Sequence, residues 1–126
     1  MTGMKKFMER RTHRRFKVQE EAYAALNNGS LKIGQIQNIS KGGLAFRYLA
    51  NEKQSEGSYK AYIFKTDNDF FIENLLFNTI SDVHIDFEIP SGTVSKRQCR
   101  GQFGELTQSQ MLQLDYFIKD YTVSEA

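Results

Sequence analysis

Alternation of apolar and polar residues, broken by turn signals, runs through most of this sequence before one switch to helical spacing near its end. Alternation marks a half-buried strand, because successive side chains point to opposite faces. From Phe16 onward, Val18, Ala22, Ala24 and Leu26 recur with period two and one break, which reads as a first strand. Asn27-Asn28-Gly29-Ser30 follows, a turn signal because Asn and Gly tolerate positive φ. Leu31 to Ile39 reads as a second strand, with Gly34 a candidate bulge. Leu44, Phe46 and Tyr48 alternate as a third, residues 50–58 form a polar loop, and Tyr59 to Lys65 is a fourth. After the Thr66–Asp69 turn come a short strand, Phe70 to Glu73, and a long bent one, Leu75 to Glu88. Pro90-Ser91-Gly92 turns the chain into a last strand, Val94 to Leu106.

The period then changes. Thr107-Gln108-Ser109-Gln110 fits a capping box, in which the Gln110 amide donates to the Thr107 hydroxyl and the Gln110 side chain reaches back. Leu106 and Met111 stand at the staple positions on either side of that cap. Met111, Leu114, Ile118 and Tyr121, at steps of three, four and three, define one helical face. Six or seven antiparallel strands and one amphipathic helix make a single all-β domain, a small closed barrel or a sandwich with the helix across one end or side. At 126 residues and 40% hydrophobic the chain can bury one core without staples, and its lone cysteine, Cys99, permits no internal disulfide. Cys99 and the two histidines lack metal-ligand spacing. No apolar run approaches the roughly 20 residues of a membrane span, and no apolar segment follows the basic N-terminus as in a secretory signal. The expectation is a soluble, cytoplasmic protein.

Charge is unevenly spread. Residues 1–17 hold seven Lys or Arg against Glu9 alone, a net +6, whereas residues 18–126 hold ten against fourteen Asp or Glu, a net −4. A flexible basic arm, residues 1–15, is thus expected to precede a mildly acidic body, residues 16–123. Such an arm suits a polyanion, while the acidic body argues against a broad nucleic-acid groove.

Two motifs carry chemistry. Arg10-Arg11-Thr12-His13-Arg14-Arg15 packs four guanidiniums into six residues. Each offers a planar fork of donors that fits phosphate or the O6/N7 edge of guanine, and a face that stacks on a purine. Asn38-Ile39-Ser40-Lys41-Gly42-Gly43 offers an amide to read a base edge, a hydroxyl for phosphate or sugar, and glycines that let backbone amides approach an anion. Alone, the first reads as a solvated charge run and the second as a turn in which Asn38 and Ser40 cap their own backbone.

In this order the two motifs resemble those of the PilZ domain, the bacterial receptor for the second messenger cyclic di-GMP. That family carries R-x-x-x-R just before its first barrel strand and (D/N)-x-S-x-x-G near its second. The first falls best on Arg11 and Arg15, with Arg10 and Arg14 as a competing frame. The second falls on Asn38, Ser40 and Gly43. Gln102-Phe103-Gly104-Glu105-Leu106-Thr107 and the helix after it are similar to the end of flagellar-brake-type PilZ domains, so the resemblance spans about Glu9 to Tyr121. It implies a six- to seven-stranded antiparallel barrel with a C-terminal helix, in the single-domain form. It also implies that Arg11 and Arg15 clamp phosphate and guanine, that Asn38 reads a guanine edge, and that Ser40 and Gly43 shape the loop around the second guanine. Arg10, directly before the motif, goes in the family with a stacked ligand dimer, hence two cyclic di-GMP molecules per chain. Arg100 stands where many members have Gly, a departure that either brings another cation towards the site or only changes local packing. No cofactor other than this ligand is implied. The expected mechanism is switching, with the arm folding over the ligand to present a new surface to a protein partner.

The remaining polar residues read as structural. Arg97 suits either the ligand or a salt bridge, and His84 and Cys99 suit strand positions. Asp67, Asp69, Asp82 and Asp86 match no calcium loop. No acid–base pair or nucleophile points to an enzyme. Competing readings are a PilZ-like interaction module without ligand and a small barrel that binds nucleic acid generally, nucleic acid being the less favoured partner.

Overall fold

The computed structural model describes residues 14–27, 31–49, 58–89 and 92–125. The strands are β1 (Phe16–Val18), β2 (Ala22–Asn27), β3 (Leu31–Ile39), β4 (Gly43–Leu49), β5 (Ser58–Lys65), β6 (Phe71–Ile89), β7 (Gly92–Phe103) and β8 (Thr122–Glu125). Helix α1 (Gln108–Tyr121) lies between β7 and β8. Neighbours run β2-β5-β6-β7-β4-β3, and β2 also pairs with β3, so six antiparallel strands close into a barrel. Closure leaves those strands no bare edge. β1 and β8 extend the sheet from β3.

Inward alternation builds the core. Leu26, Ile36, Ile39, Phe46, Ile63, Ile72, Leu75 and Phe77 are all 2% exposed or less. Helix α1 closes over them with Leu114 and Phe117, both fully or almost fully buried. The capping box forms as the sequence predicts, with Thr107 Oγ1 accepting from the Gln110 amide at 3.1 Å and Gln110 Oε1 accepting from the Thr107 amide at 2.9 Å. The Gln110 side chain also donates to the Glu73 and Asn74 carbonyls of β6, at 3.0 and 3.1 Å. It therefore ties the helix start to the barrel as well as capping it.

Several expectations change. The stretch from Phe16 to Leu26 is two strands, because the Gln19–Glu21 turn lets β2 pair with β5 while β1 stays on β3. Gly34 is not a bulge. The β2–β3 register is continuous there, and a Cβ on Gly34 would strike the Arg47 carbonyl of β4. The bulge falls between Ile36 and Asn38. The two strands expected at 70–88 are one, with Asn74 at φ 57°, a left-handed conformation that Asn tolerates. Leu114, Ile118 and Tyr121 of the expected helix face meet the core, joined by fully buried Phe117, whereas Met111 of the expected staple is 47% exposed. β8 was not expected from the sequence.

Candidate ligand-binding site

β1 registers on the last residues of β3, with Phe16 opposite Ile39 and Lys17 opposite Asn38. Continuing this register by one residue sets Arg15 towards Ser40. The basic leader and the Asn38–Gly43 loop therefore meet at one place, although 23 positions separate Arg15 and Asn38 in sequence. Strand alternation puts Arg15 on the outer face with Lys17, and Arg14 on the other side. There, exposed Arg14 lies 3.9 Å from Glu125 of β8. Arg10 and Arg11 fall outside the described residues, so the choice of motif frame rests on this alternation, which favours the frame ending at Arg15.

The loop is a rigid bend. The Ser40 amide donates to the Gly43 carbonyl at 2.8 Å, and the Gly42 amide donates to Ser40 Oγ at 3.0 Å. The Phe103 amide donates to the Gly42 carbonyl at 2.8 Å, and a Cβ on Gly43 would collide with the Gly101 carbonyl, so the bend is pressed onto β7. Ser40 is buried and spends its hydroxyl inside the turn, so its contribution is to hold the loop's shape. Asn38 differs: it is half-buried on the outer face, and its side chain makes no hydrogen bond among the described residues. The Ile36/Asn38 bulge sets its aim, as bulges do beside binding sites. Lys41 at the loop tip meets Asp115 of α1 at 3.5 Å.

A transverse row of paired positions crosses this face: Lys17, Asn38, Ala45, Arg100 and Ser81, on β1, β3, β4, β7 and β6. Ala45 is fully buried, with Asn38 and exposed Arg100 on either side, about 10 Å apart at Cα across two strand spacings. Of the expected site residues, Arg15, Asn38, Ser40, Gly43 and Arg100 thus gather around one patch. Lys17 joins them through strand pairing alone, which no local motif signals.

Arg97 does not belong to this patch. It lies inside the barrel, donating from Nε to Asp82 Oδ1 at 2.7 Å and from Nη2 to the Asp82 carbonyl at 2.9 Å. Tyr48 donates its hydroxyl to the other carboxylate oxygen. The Asp82 hydrogen bond raises the Arg97 pKa and outweighs the cost of burial. Burial pushes the Cys99 thiol up to about 12, which leaves it protonated and unreactive at neutral pH. The open cleft between β6 and α1 carries Glu73 and Glu105 as its charged residues and would repel phosphate. Among the described residues, no group of three or more His, Cys, Asp and Glu could hold a metal.

No protein-family model matches this sequence, and no curated protein sequence does. Solved structures match its fold. The PilZ domain of Escherichia coli YcgR with c-di-GMP superposes with a TM-score of 0.70 at 13% identity, over 90% of this chain and 92% of that one. MrkH of K. pneumonia in complex with c-di-GMP gives 0.69 at 16% identity, over 90% of this chain and 52% of that one. The Bacillus subtilis inhibitor of motility MotI/DgrA gives 0.60 at 20% identity, covering 89% and 51%. The fold is that of a PilZ-like domain. This chain spans nearly all of the YcgR domain and about half the length of MrkH and MotI. Among the described residues, no helix is long and apolar enough to cross a membrane.

Proposed function

We propose that this chain is a cyclic di-GMP receptor of the PilZ type. The observation that carries the reading is the meeting of the arginine leader with the Asn38–Gly43 bend at the start of β1. The ligand is a doubly charged purine dinucleotide. Arg15 and Arg11 supply bidentate donors for phosphate and guanine O6/N7. Asn38 supplies an uncommitted amide for a guanine edge. Ser40 and Gly43 hold the bend, and Arg100 and Lys17 add positive charge across Ala45. Arg10 offsets the negative charge that a second, stacked ligand molecule brings, so the expected ratio is two per chain. Two of the matched structures are described as containing c-di-GMP, which supports this ligand over other anions.

Binding fixes the arm across the loop and alters the surface beside β1 and β8, where a protein partner reads it. The chain's own chemistry is recognition, with no bond made or broken. Calorimetry with cyclic di-GMP, linear pGpG and GTP tests the reading. Selective binding of the cyclic compound is expected, with a ratio near two, and Arg15→Ala should weaken it by about 1.5–3 kcal/mol through loss of a charge-assisted bond. Unchanged affinity in that variant removes the assignment of the site, and a ratio near one removes the stacked pair.

A further inference from the structure

The cyclic di-GMP reading uses the arginines of the leader and leaves Met4, Lys5, Lys6, Phe7 and Met8 without a role. Residues 1–13 lie outside the described residues, but their composition is plain. Met4, Phe7 and Met8 stand among Lys5, Lys6, Arg10 and Arg11, with Glu9 the one acid. A segment of this kind suits a surface that is apolar and acidic at once.

The cleft between β6 and the start of α1 is such a surface, with a volume of about 480 Å³. Phe71 and Leu76 line it at 45% and 44% exposure, and Glu73 and Glu105 are its charged residues. Neither carboxylate makes an ion pair among the described residues. Lys60 of β5 stands opposite Leu76, and the two carboxylates outweigh it. The strip is preformed. Gln113 Nε2 donates to the Phe71 carbonyl at 3.1 Å, and the Gly104 amide donates to the Leu76 carbonyl at 2.8 Å. With the Gln110 bonds to Glu73 and Asn74, the backbone from Phe71 to Leu76 is thus tied to α1 and the turn before it, while the Phe71 and Leu76 side chains stay open to solvent.

We infer that, without ligand, the chain's own Met4–Met8 stretch docks in this cleft. Charge complementarity and reach choose this occupant. Lys5 and Lys6 meet Glu73 and Glu105, and Phe7 and its neighbouring methionines cover Phe71 and Leu76. The paired row Phe16, Ile39, Leu44, Gly101 and Thr79 crosses the sheet from β1 to β6. Two residues further in the leader's direction, it sets Arg14 level with Phe77, next to Leu76. Four strand spacings separate them, about 19 Å. Phe7 stands seven residues before Arg14, a reach of about 23 Å when extended. Between the two ends lie the Ser40–Gly43 bend and the end of β7, so the docked leader lays Arg10 and Arg11 where the ligand would sit. Docking and cyclic di-GMP then exclude each other. That exclusion rests on the receptor reading, whereas the docking does not.

A spin label on Thr2→Cys tests the docking in the full chain, because buried Cys99 stays protonated at neutral pH and does not take the label. Without ligand, the backbone amide NMR signals of Glu73–Leu76 and Glu105–Gln110 should broaden, and those of Leu31–Ile33 at the far end of β3 should not. Glu73→Lys with Glu105→Lys, and separately Phe7→Ser, should each remove the broadening. Glu73 and Glu105 are exposed, so the barrel stays folded, which the dispersion of the remaining signals reports. Phe7→Ser changes no charge, and by calorimetry it should tighten cyclic di-GMP binding about threefold, as expected when about two thirds of the chain is docked. Threefold is about 0.7 kcal/mol, too little to move the unfolding midpoint noticeably. A wild-type cleft without broadening, or broadening that survives both sets of substitutions, overturns the inference. So does broadening when spin-labelled chain is mixed with unlabelled, isotope-enriched chain, which would make the occupant a second copy. Unchanged affinity in Phe7→Ser overturns the exclusion. A wild type that binds no cyclic di-GMP fails the receptor reading alone, and the broadening still decides the docking.

Discussion

Asp82 shows how one side chain can be decisive without touching a ligand. Its carboxylate takes a hydrogen bond from Arg97 and another from Tyr48 inside the barrel. Asp82→Ala leaves a buried guanidinium without its counter-charge and should cost about 3–5 kcal/mol in urea unfolding. Replacing Asp82 and Arg97 together with apolar residues of similar volume should restore much of that loss, because neither charge is then stranded. A double variant no more stable than Asp82→Ala would show the pair to be less coupled than its geometry implies. Cys99 carries a pH signature. Its folded-state pKa of about 12 lies above the ordinary 9.0, so the unfolded chain ionises first. Its contribution to stability is complete below about pH 9 and is lost as pH rises towards 12. The destabilisation caused by Cys99→Ala, measured at pH 7 and again at about pH 10.5, should therefore shrink at the higher pH. The residue types of the candidate site were legible only because the two motifs occur together and in order, since each alone reads as a charge run or a turn. The interior place of Arg97 was not, because only partners on two other strands reveal it.

At the scale of elements, alternation located every barrel strand but not where one strand should be split or joined. A single turn at Gln19–Glu21 sends β2 to β5 while β1 remains on β3, and local periodicity is the same on either side of it. A left-handed Asn74 keeps β6 continuous where broken alternation suggested a gap. β8 forms because Lys17 and Phe16 offer an edge to Ser124 and Glu125, a pairing more than a hundred residues long that four polar-rich residues cannot announce. The helix face is the clearest energetic case. Spacing allowed Met111 or Phe117 to complete the stripe with Leu114, and packing chose Phe117, whose ring meets Phe70 at 5.4 Å and Tyr121 at 5.5 Å. Phe117→Ala should cost about 3–5 kcal/mol in chemical unfolding, whereas Met111→Ala should stay within about 0.5 kcal/mol as an exposed substitution does. The reverse order would put Met111, and not Phe117, in the core beside Leu114.

For the molecule as a whole, pairing across the sheet does what sequence distance conceals. It brings the leader to the Asn38–Gly43 bend, lines up four carboxylate-free strands, and leaves the acids of the described residues on β6, the turns, α1 and β8. None of this shows in net charge, which averages over both sides. The same topology separates what folds the domain from what the leader does. The core residues begin with Val18 at its margin and Ala22 at its centre, so nothing before Phe16 is needed to bury them. The ion pair between Arg14 and Glu125 joins two largely exposed side chains and is worth under about 1 kcal/mol. Deleting residues 1–15 should thus leave the urea midpoint nearly unchanged while cyclic di-GMP binding, followed by calorimetry, disappears. A truncated chain that still binds the dinucleotide would move recognition onto the barrel's own cations. One that unfolds would mean the leader supports β1 as well as the ligand. Because β1 holds only two paired positions on β3, the second outcome would be visible as loss of the β1–β8 edge before the barrel itself melts.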